Sequence, residues 1–227
     1  MSGNIYLIGG GELKNGETRL IDEDILSLST QGSVFVFFGF GSGDNNEYAN
    51  TIISVYGSKF KVIVPTESKG KDFTIDAIKS ASIIYLGGGN ADQLLRVFAE
   101  WGLVEHLTAA INRGAHVAGM SAGAQALAAQ YIDEDNGPIK LREGWGIVPF
   151  CVIVHTNQTS FKKAKLLWSE GGMTRPLIAV GESAAWRICT TNAEKIGRGK
   201  VWTATSEYAI DLEKQIKFDK ITGYKLL

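Results

Sequence analysis

The sequence predicts an α/β fold of three layers: a mostly parallel sheet flanked by helices on both faces, with a short antiparallel extension at the C-terminus. Three observations carry that expectation. Short runs that are apolar throughout alternate with segments of helical period as far as Tyr131, the pattern of strands covered on both sides. Each of these runs stops at glycines, a proline or polar residues, the edge at which such sheets bind ligands. Beyond Ala185 the helical period disappears and three strand-like runs follow one another across short turns.

In order, residues 4–8 read as a buried strand halted by Gly9-Gly10-Gly11, and residues 19–28 place Leu20, Ile21, Ile25, Leu26 and Leu28 at roughly helical spacing. Residues 34–38, Val-Phe-Val-Phe-Phe, form a second buried strand, followed by a glycine-rich loop over 39–44 and a helix over 46–56. A third strand over 61–64 is stopped by Pro65, and a short helix over 72–80 leads to a fourth strand over 83–86, closed by Gly87-Gly88-Gly89-Asn90. Helices follow over 92–98 and 103–112, split at Trp101-Gly102. Residues 116–118 form a strand and 122–131 an alanine-rich helix. A polar loop is expected over 133–146, then a strand over 150–154 ending at His155, a helix over 161–168 and a strand over 177–180. The final runs, 186–190, 194–196 and 201–204, make the antiparallel extension.

With 227 residues and 44% hydrophobic content the chain can bury a sizeable core, and it is expected to form a single domain over 1–227. A net charge of −1 gives no reason to expect a nucleic acid or an anionic membrane as partner. Cys151 and Cys189 sit in apolar runs and read as buried free thiols. The first residues enter a strand with no signal-peptide pattern, so a cytoplasmic location is expected.

The most specific local pattern is Gly119-Met120-Ser121-Ala122-Gly123, placed between an apolar strand and a helix. Gly-x-Ser-x-Gly in that setting is the sequence form of a nucleophile elbow, a sharp turn that lifts a serine hydroxyl clear of the backbone. Three histidines compete to be its base. His106 lies in the middle of a helix, and His116, five residues upstream on an extended strand, is about 16 Å away at roughly 3.3 Å per residue. His155 ends a buried strand and follows the elbow, the position expected of a base. Between Ser121 and His155 the carboxylates are Asp133, Glu134, Asp135 and Glu143, and position does not choose among them. No His or Cys spacing suits a metal, and the glycine clusters match no phosphate loop, so neither metal nor cofactor is expected.

Tyr85-Leu86-Gly87-Gly88-Gly89-Asn90-Ala91-Asp92-Gln93-Leu94-Leu95, taken with the elbow about 30 residues later, is similar to the dipeptidase E family of serine peptidases, which includes cyanophycinases. The likeness runs through Trp145-Gly146-Ile147-Val148-Pro149 and over 177–185. It implies a fold like that of class I glutamine amidotransferases, with serine replacing their cysteine. It also implies that Ser121 is the nucleophile, His155 the base, and Gly88, Gly89 and the N–H of Ala122 the oxyanion hole. The family's Asn-Asp-x-Pro-Ile acid motif reads Asp135-Asn136-Gly137-Pro138-Ile139 here. Asp135 is taken as the acid after a one-residue shift, with Asn136 and Glu143 as alternatives. The resemblance implies cleavage of short peptides with an N-terminal Asp through an acyl-enzyme. The alternatives are a cyanophycinase-like or other amide hydrolase, and a catalytically silent peptide-binding homologue. The partner expected is a small peptide, and a homodimer is the assembly to be considered.

Overall fold

In the computed structural model the described residues are 3–133, 140–170, 175–189, 192–204, 209–211 and 216–217. The order of elements is β1 (Ile5–Ile8), α1 (Arg19–Leu26), β2 (Val34–Phe38), α2 (Asn46–Tyr56), β3 (Lys61–Ile63), α3 (Gly70–Ser80), β4 (Ile83–Leu86), α4 (Ala91–Trp101), α5 (Leu103–Asn112), β5 (His116–Met120) and α6 (Ala122–Leu127). There follow β6 (Ala128–Asp133), β7 (Lys140–Glu143), β8 (Val148–Ile153), α7 (Gln158–Glu170), β9 (Leu177–Val180), β10 (Ala184–Ile188), β11 (Asn192–Gly197), β12 (Val201–Ala204), β13 (Ala209–Asp211) and β14 (Ile216–Lys217).

The first sheet has eight strands in the order β14-β11-β10-β1-β5-β4-β2-β3. From β1 to β3 every pairing is parallel, while β10 runs antiparallel to β1 and β11 antiparallel to β10. Successive side chains on a strand point to opposite faces, and here both faces are covered. Leu7, Val36, Phe38, Ile84 and Leu86 therefore enter the core shared with α3, α4 and α5. Phe35, Phe37, Ile83 and Tyr85 meet Ile21 and Ile25 of α1, and Ile52 and Tyr56 of α2. The uninterrupted apolar run of β2 is the direct result. Phe35, fully buried, stacks on Tyr56 with ring centroids 4.3 Å apart, and a side chain buried to this degree contributes roughly 1.5–3 kcal/mol. Helices α4 and α5 are separated where Gly102 takes a left-handed conformation, φ 64°, which a residue without Cβ adopts at little cost.

The remaining strands form a second sheet. Its six strands run β13-β12-β9-β8-β6-β7, with β6, β8 and β9 mutually parallel and β7 and β12 antiparallel at the flanks. Part of it grows out of the segment expected to be the helix over 122–131. Helix α6 stops at Leu127, and Ala128 turns to extended backbone, ψ 158°. Tertiary pairing overrides the helix preference of alanine here: Tyr131 and Ile132 are buried as strand residues, and Gln130 donates to Glu143 across the β6–β7 pair at 2.9 Å. The expected polar loop over 133–146 thus contains β7. Residues 201–204 form β12, which pairs β9 instead of extending the first sheet. Ala164 and Trp168 of α7 cover Cys151, Ile153, Leu177 and Ala179 on one face of this sheet. Among the described residues no helix is long and apolar enough to cross a membrane.

Candidate active site

Strand β5 ends in the turn that carries Ser121. This residue holds φ 50° and ψ −110°, a conformation costing a non-glycine residue of order 1–3 kcal/mol that only a well-determined surrounding maintains. The surroundings are tight. A Cβ on Gly119 would lie 2.5 Å from the backbone of Gly123, and one on Gly123 would lie 2.2 Å from the Leu86 carbonyl oxygen. Both glycines of the motif are thus required for β5 and α6 to fold back on each other and onto β4. Ala122 opens α6, so its N–H is among those a helix leaves without an intrahelical acceptor.

The Ser121 hydroxyl lies 2.7 Å from Nε2 of His155, two residues beyond the end of β8. The other ring nitrogen, Nδ1, lies 2.5 Å from Oε1 of Glu182, in the turn between β9 and β10. A carboxylate oxygen only accepts, so Nδ1 carries the proton. That leaves Nε2 free to receive one from Ser121. His155 itself holds φ 52°, a second strained backbone at the centre of the site. The side chains of His155 and Glu182 are 48% and 56% exposed, so their pairing is at a solvent-accessible edge.

The carboxylate beside His155 is Glu182, a residue the sequence reading did not single out. Asp135 and Asn136 lie outside the described residues, and the Nδ1 position is taken by Glu182. Glu143 lies on β7, where it accepts from Gln130, and Asp133 pairs with Arg142 at 2.8 Å. Glu182 follows His155 in the chain and so lies outside the stretch between serine and histidine. Here β9, which leads to the acid, lies beside β8 in the sheet and follows it in sequence. A usable signal was present: Glu182 comes just after the apolar run 177–180, separated from it by Gly181, as His155 comes just after 150–154.

Gly88 stands beside Ser121, since a Cβ added to it would lie 3.5 Å from Cβ of that residue. Gly89, φ 124°, packs against the Gly41 carbonyl, where a Cβ would lie at 2.2 Å. The Gly88 N–H donates to the hydroxyl of Tyr48 at 3.3 Å, and that hydroxyl donates to Sδ of Met120 at 3.3 Å. Burial pushes the Tyr48 phenol up to about 12, so it keeps its proton at neutral pH. These groups face an open cleft of about 700 Å³ that also exposes Glu12, Lys14, Glu17 and Glu47. Among the described residues no group of three or more His, Cys, Asp and Glu side chains could hold a metal. His116 lies elsewhere: its Nδ1 accepts from the Asn4 N–H at 2.9 Å, and burial lowers its pKa. His106 lies on α5, half-buried.

Comparison with known proteins gives the same direction. An uncharacterized peptidase of Bacillus subtilis, YgaJ, is 28% identical over 156 residues, covering 65% of this chain and 66% of the relative. Peptidase E of Citrobacter koseri is 34% identical over 84 residues, 36% of this chain and 37% of the relative. The chain thus spans just under two thirds of the first of these curated relatives, and little more than a third of the second. Two crystal structures share the fold: a peptidase from an acI-B1 actinobacterium (TM-score 0.71, 23% identity, 96% of this chain and 98% of the other) and a putative Peptidase E from Listeria monocytogenes EGD-e (0.66, 17%, 86% and 98%). The family model for peptidase family S51 matches residues 5–196, from β1 into β11. Over that span, which holds Ser121, His155 and Glu182, the chain belongs to peptidase family S51.

Proposed function

We propose that the protein is a serine peptidase that cleaves short peptides through an acyl-enzyme. The observation that carries this reading is the relay Ser121 Oγ–His155 Nε2 and His155 Nδ1–Glu182 Oε1, at 2.7 and 2.5 Å, on a strained elbow facing a cleft. Ser121 Oγ attacks the scissile carbonyl carbon while its proton passes to Nε2 of His155. The negative charge developing on the carbonyl oxygen is met by the N–H groups of Gly88, Gly89 and Ala122, of which Gly88 must exchange the Tyr48 hydroxyl for the oxyanion. When the carbon–nitrogen bond breaks, the leaving amine takes the proton from Nε2. A water then attacks the acyl-serine, with His155 again receiving the proton, and releases the acid and free Ser121. Glu182 holds the imidazole in the required tautomer and stabilises its cationic form.

For the substrate, a dipeptide with N-terminal Asp suits the charges in the cleft. Among the described residues Lys14 pairs with exposed Glu47, at 3.7 Å, and can take the substrate carboxylate, while Glu12 or Glu17 can take the ammonium. The likeness to a relative named Peptidase E supports this choice. The excess of carboxylates over Lys14 favours a second reading, an amide hydrolase selecting a basic side chain.

A fluorophosphonate probe tests the chemistry: labelling of wild type and none of Ser121→Ala is expected, and failure to label wild type refutes it. Turnover of Asp-Leu, Ala-Leu and Lys-Leu tests selectivity. Faster hydrolysis of Asp-Leu is expected, equal rates refute aspartyl selection, and a preference for Lys-Leu supports the second reading.

A further inference from the structure

Three consecutive carbonyls at the end of β1 each accept an N–H from a different part of the triad. Ile8 O takes the N–H of Ser121 at 2.9 Å, Gly9 O that of His155 at 2.9 Å, and Gly10 O that of Ser183, the neighbour of Glu182, at 3.1 Å. The N–H of Gly9 also donates to Ala184 O at 3.0 Å. The donors come from three separate places: the end of β5, the segment after β8 and the β9–β10 turn. Strands β1 and β5 belong to the eight-stranded sheet and β8 and β9 to the six-stranded one, so these few residues tie the base and acid of one sheet to the nucleophile of the other.

Gly10 does more than supply a carbonyl. It holds φ +151°, and a Cβ on it would lie 2.3 Å from Oε2 of Glu182, 2.5 Å from Nδ1 of His155 and 2.6 Å from its Cε1. Its bare Cα therefore lies directly against the histidine–carboxylate hydrogen bond. Any side chain there must displace one partner. The Glu182 carboxylate, at the end of a flexible side chain and 56% exposed, is the group that yields most cheaply. The fold loses little by that movement, whereas the relay loses its acid.

We propose that Gly10, with the carbonyls of residues 8–10, is the positioning element that fixes Glu182 against His155. This rests on the triad described under the proposed function. The test compares wild type, Gly10→Ala, Glu182→Gln, the double variant and Gly16→Ala. Gly16 also has a positive φ, +69°, but a Cβ there meets nothing within 4 Å, so this variant reports the cost of an uncrowded alanine in the left-handed region. Two quantities are read: the fluorophosphonate labelling rate, and the far-downfield proton resonance of His155 Nδ1–H.

Gly10→Ala is expected to lower labelling roughly a hundredfold, the loss worked out below for removal of the Glu182 charge. The double variant should label within about threefold of Gly10→Ala, because both changes remove the same interaction. The resonance is expected in wild type and Gly16→Ala and absent from Gly10→Ala. Near-wild-type labelling of Gly10→Ala, retention of its resonance, or multiplicative losses in the double variant would overturn the proposal. Should Gly10→Ala fold poorly, Gly10→Ala/Glu182→Asp decides instead. The acid, one methylene shorter, makes room for the new methyl group, so this pair must melt above Gly10→Ala itself; no such recovery refutes the clamp. If wild type itself fails to label yet shows the resonance, the peptidase reading falls, while the comparison of resonances still decides the role of Gly10.

Discussion

Replacing Glu182 by glutamine keeps the shape of the side chain and an acceptor for His155 Nδ1–H but removes the negative charge. The magnitude follows from the geometry. With Nδ1 2.5 Å from the carboxylate and both side chains about half exposed, an effective dielectric of about 40 gives an attraction of roughly 3 kcal/mol for the imidazolium formed in the transition state. Each 1.36 kcal/mol is a factor of ten in rate, so Glu182→Gln should slow catalysis roughly a hundredfold. The assay is the second-order rate of fluorophosphonate inactivation, alongside kcat and KM on any dipeptide that wild type cleaves. The loss should fall on kcat with KM little changed, because the charge acts only once His155 is cationic. Asp135→Asn, measured in parallel, should remain within about threefold of wild type. A loss under fivefold for Glu182→Gln, or a hundredfold loss for Asp135→Asn, would refute the assignment of Glu182 as the acid.

Three further outcomes are expected. Gly123→Ala, whose new Cβ would lie 2.2 Å from the Leu86 carbonyl oxygen, should cost roughly 3 kcal/mol and lower Tm by roughly 6–12 °C; an unchanged melting curve would contradict the packing of the elbow. Tyr48→Phe removes the hydroxyl that occupies the Gly88 N–H, and should raise the labelling rate by up to about fivefold, the equivalent of one modest hydrogen bond. A tenfold loss would instead make the hydroxyl a donor to the oxyanion. Burial raises the pKa of Asp22 from its ordinary 3.8, against the opposing bonds from Tyr56 and Thr18. The folded chain therefore holds this proton where the unfolded chain has released it, and stability falls as pH rises through that window above about 4. Urea unfolding across the window should show this fall in wild type and its loss in Asp22→Asn.

The first sheet was legible because its strands are covered on both faces: unbroken apolar runs closed by glycines leave few alternatives to a parallel α/β arrangement. The Gly-x-Ser-x-Gly turn is equally readable, since only a residue without Cβ fits at Gly119 and Gly123, and having only three histidines leads to the pairing of Ser121 with His155. Two things were not legible. Ala128-Ala129-Gln130 has the composition of a helix, and its strand conformation comes from partners far along the chain, Val148 and Cys151 on β8. Glu182 was missed for a related reason. Its contact with His155 spans 27 residues and depends on the order of strands in a sheet, which local periodicity does not encode. Tyr48 shares that difficulty: nothing in a helix reading over 46–56 distinguishes a tyrosine that reaches Gly88 from one that packs in the core.

The split between two sheets bears on how activity arises during folding. Ser121 is delivered by the eight-stranded sheet, His155 by the end of a strand in the other, and Glu182 by the turn through which the chain passes back from the second to the first. A chain in which only β1 to β5 had paired would hold the serine without His155 or Glu182, and its hydroxyl would be an ordinary one. The Ser121–His155–Glu182 relay is therefore complete only when β9 has paired with β8 and β10 with β1. Loss of fluorophosphonate labelling on gentle denaturation should therefore report the separation of Ser121 from His155 and Glu182, whether or not the eight-stranded sheet has melted.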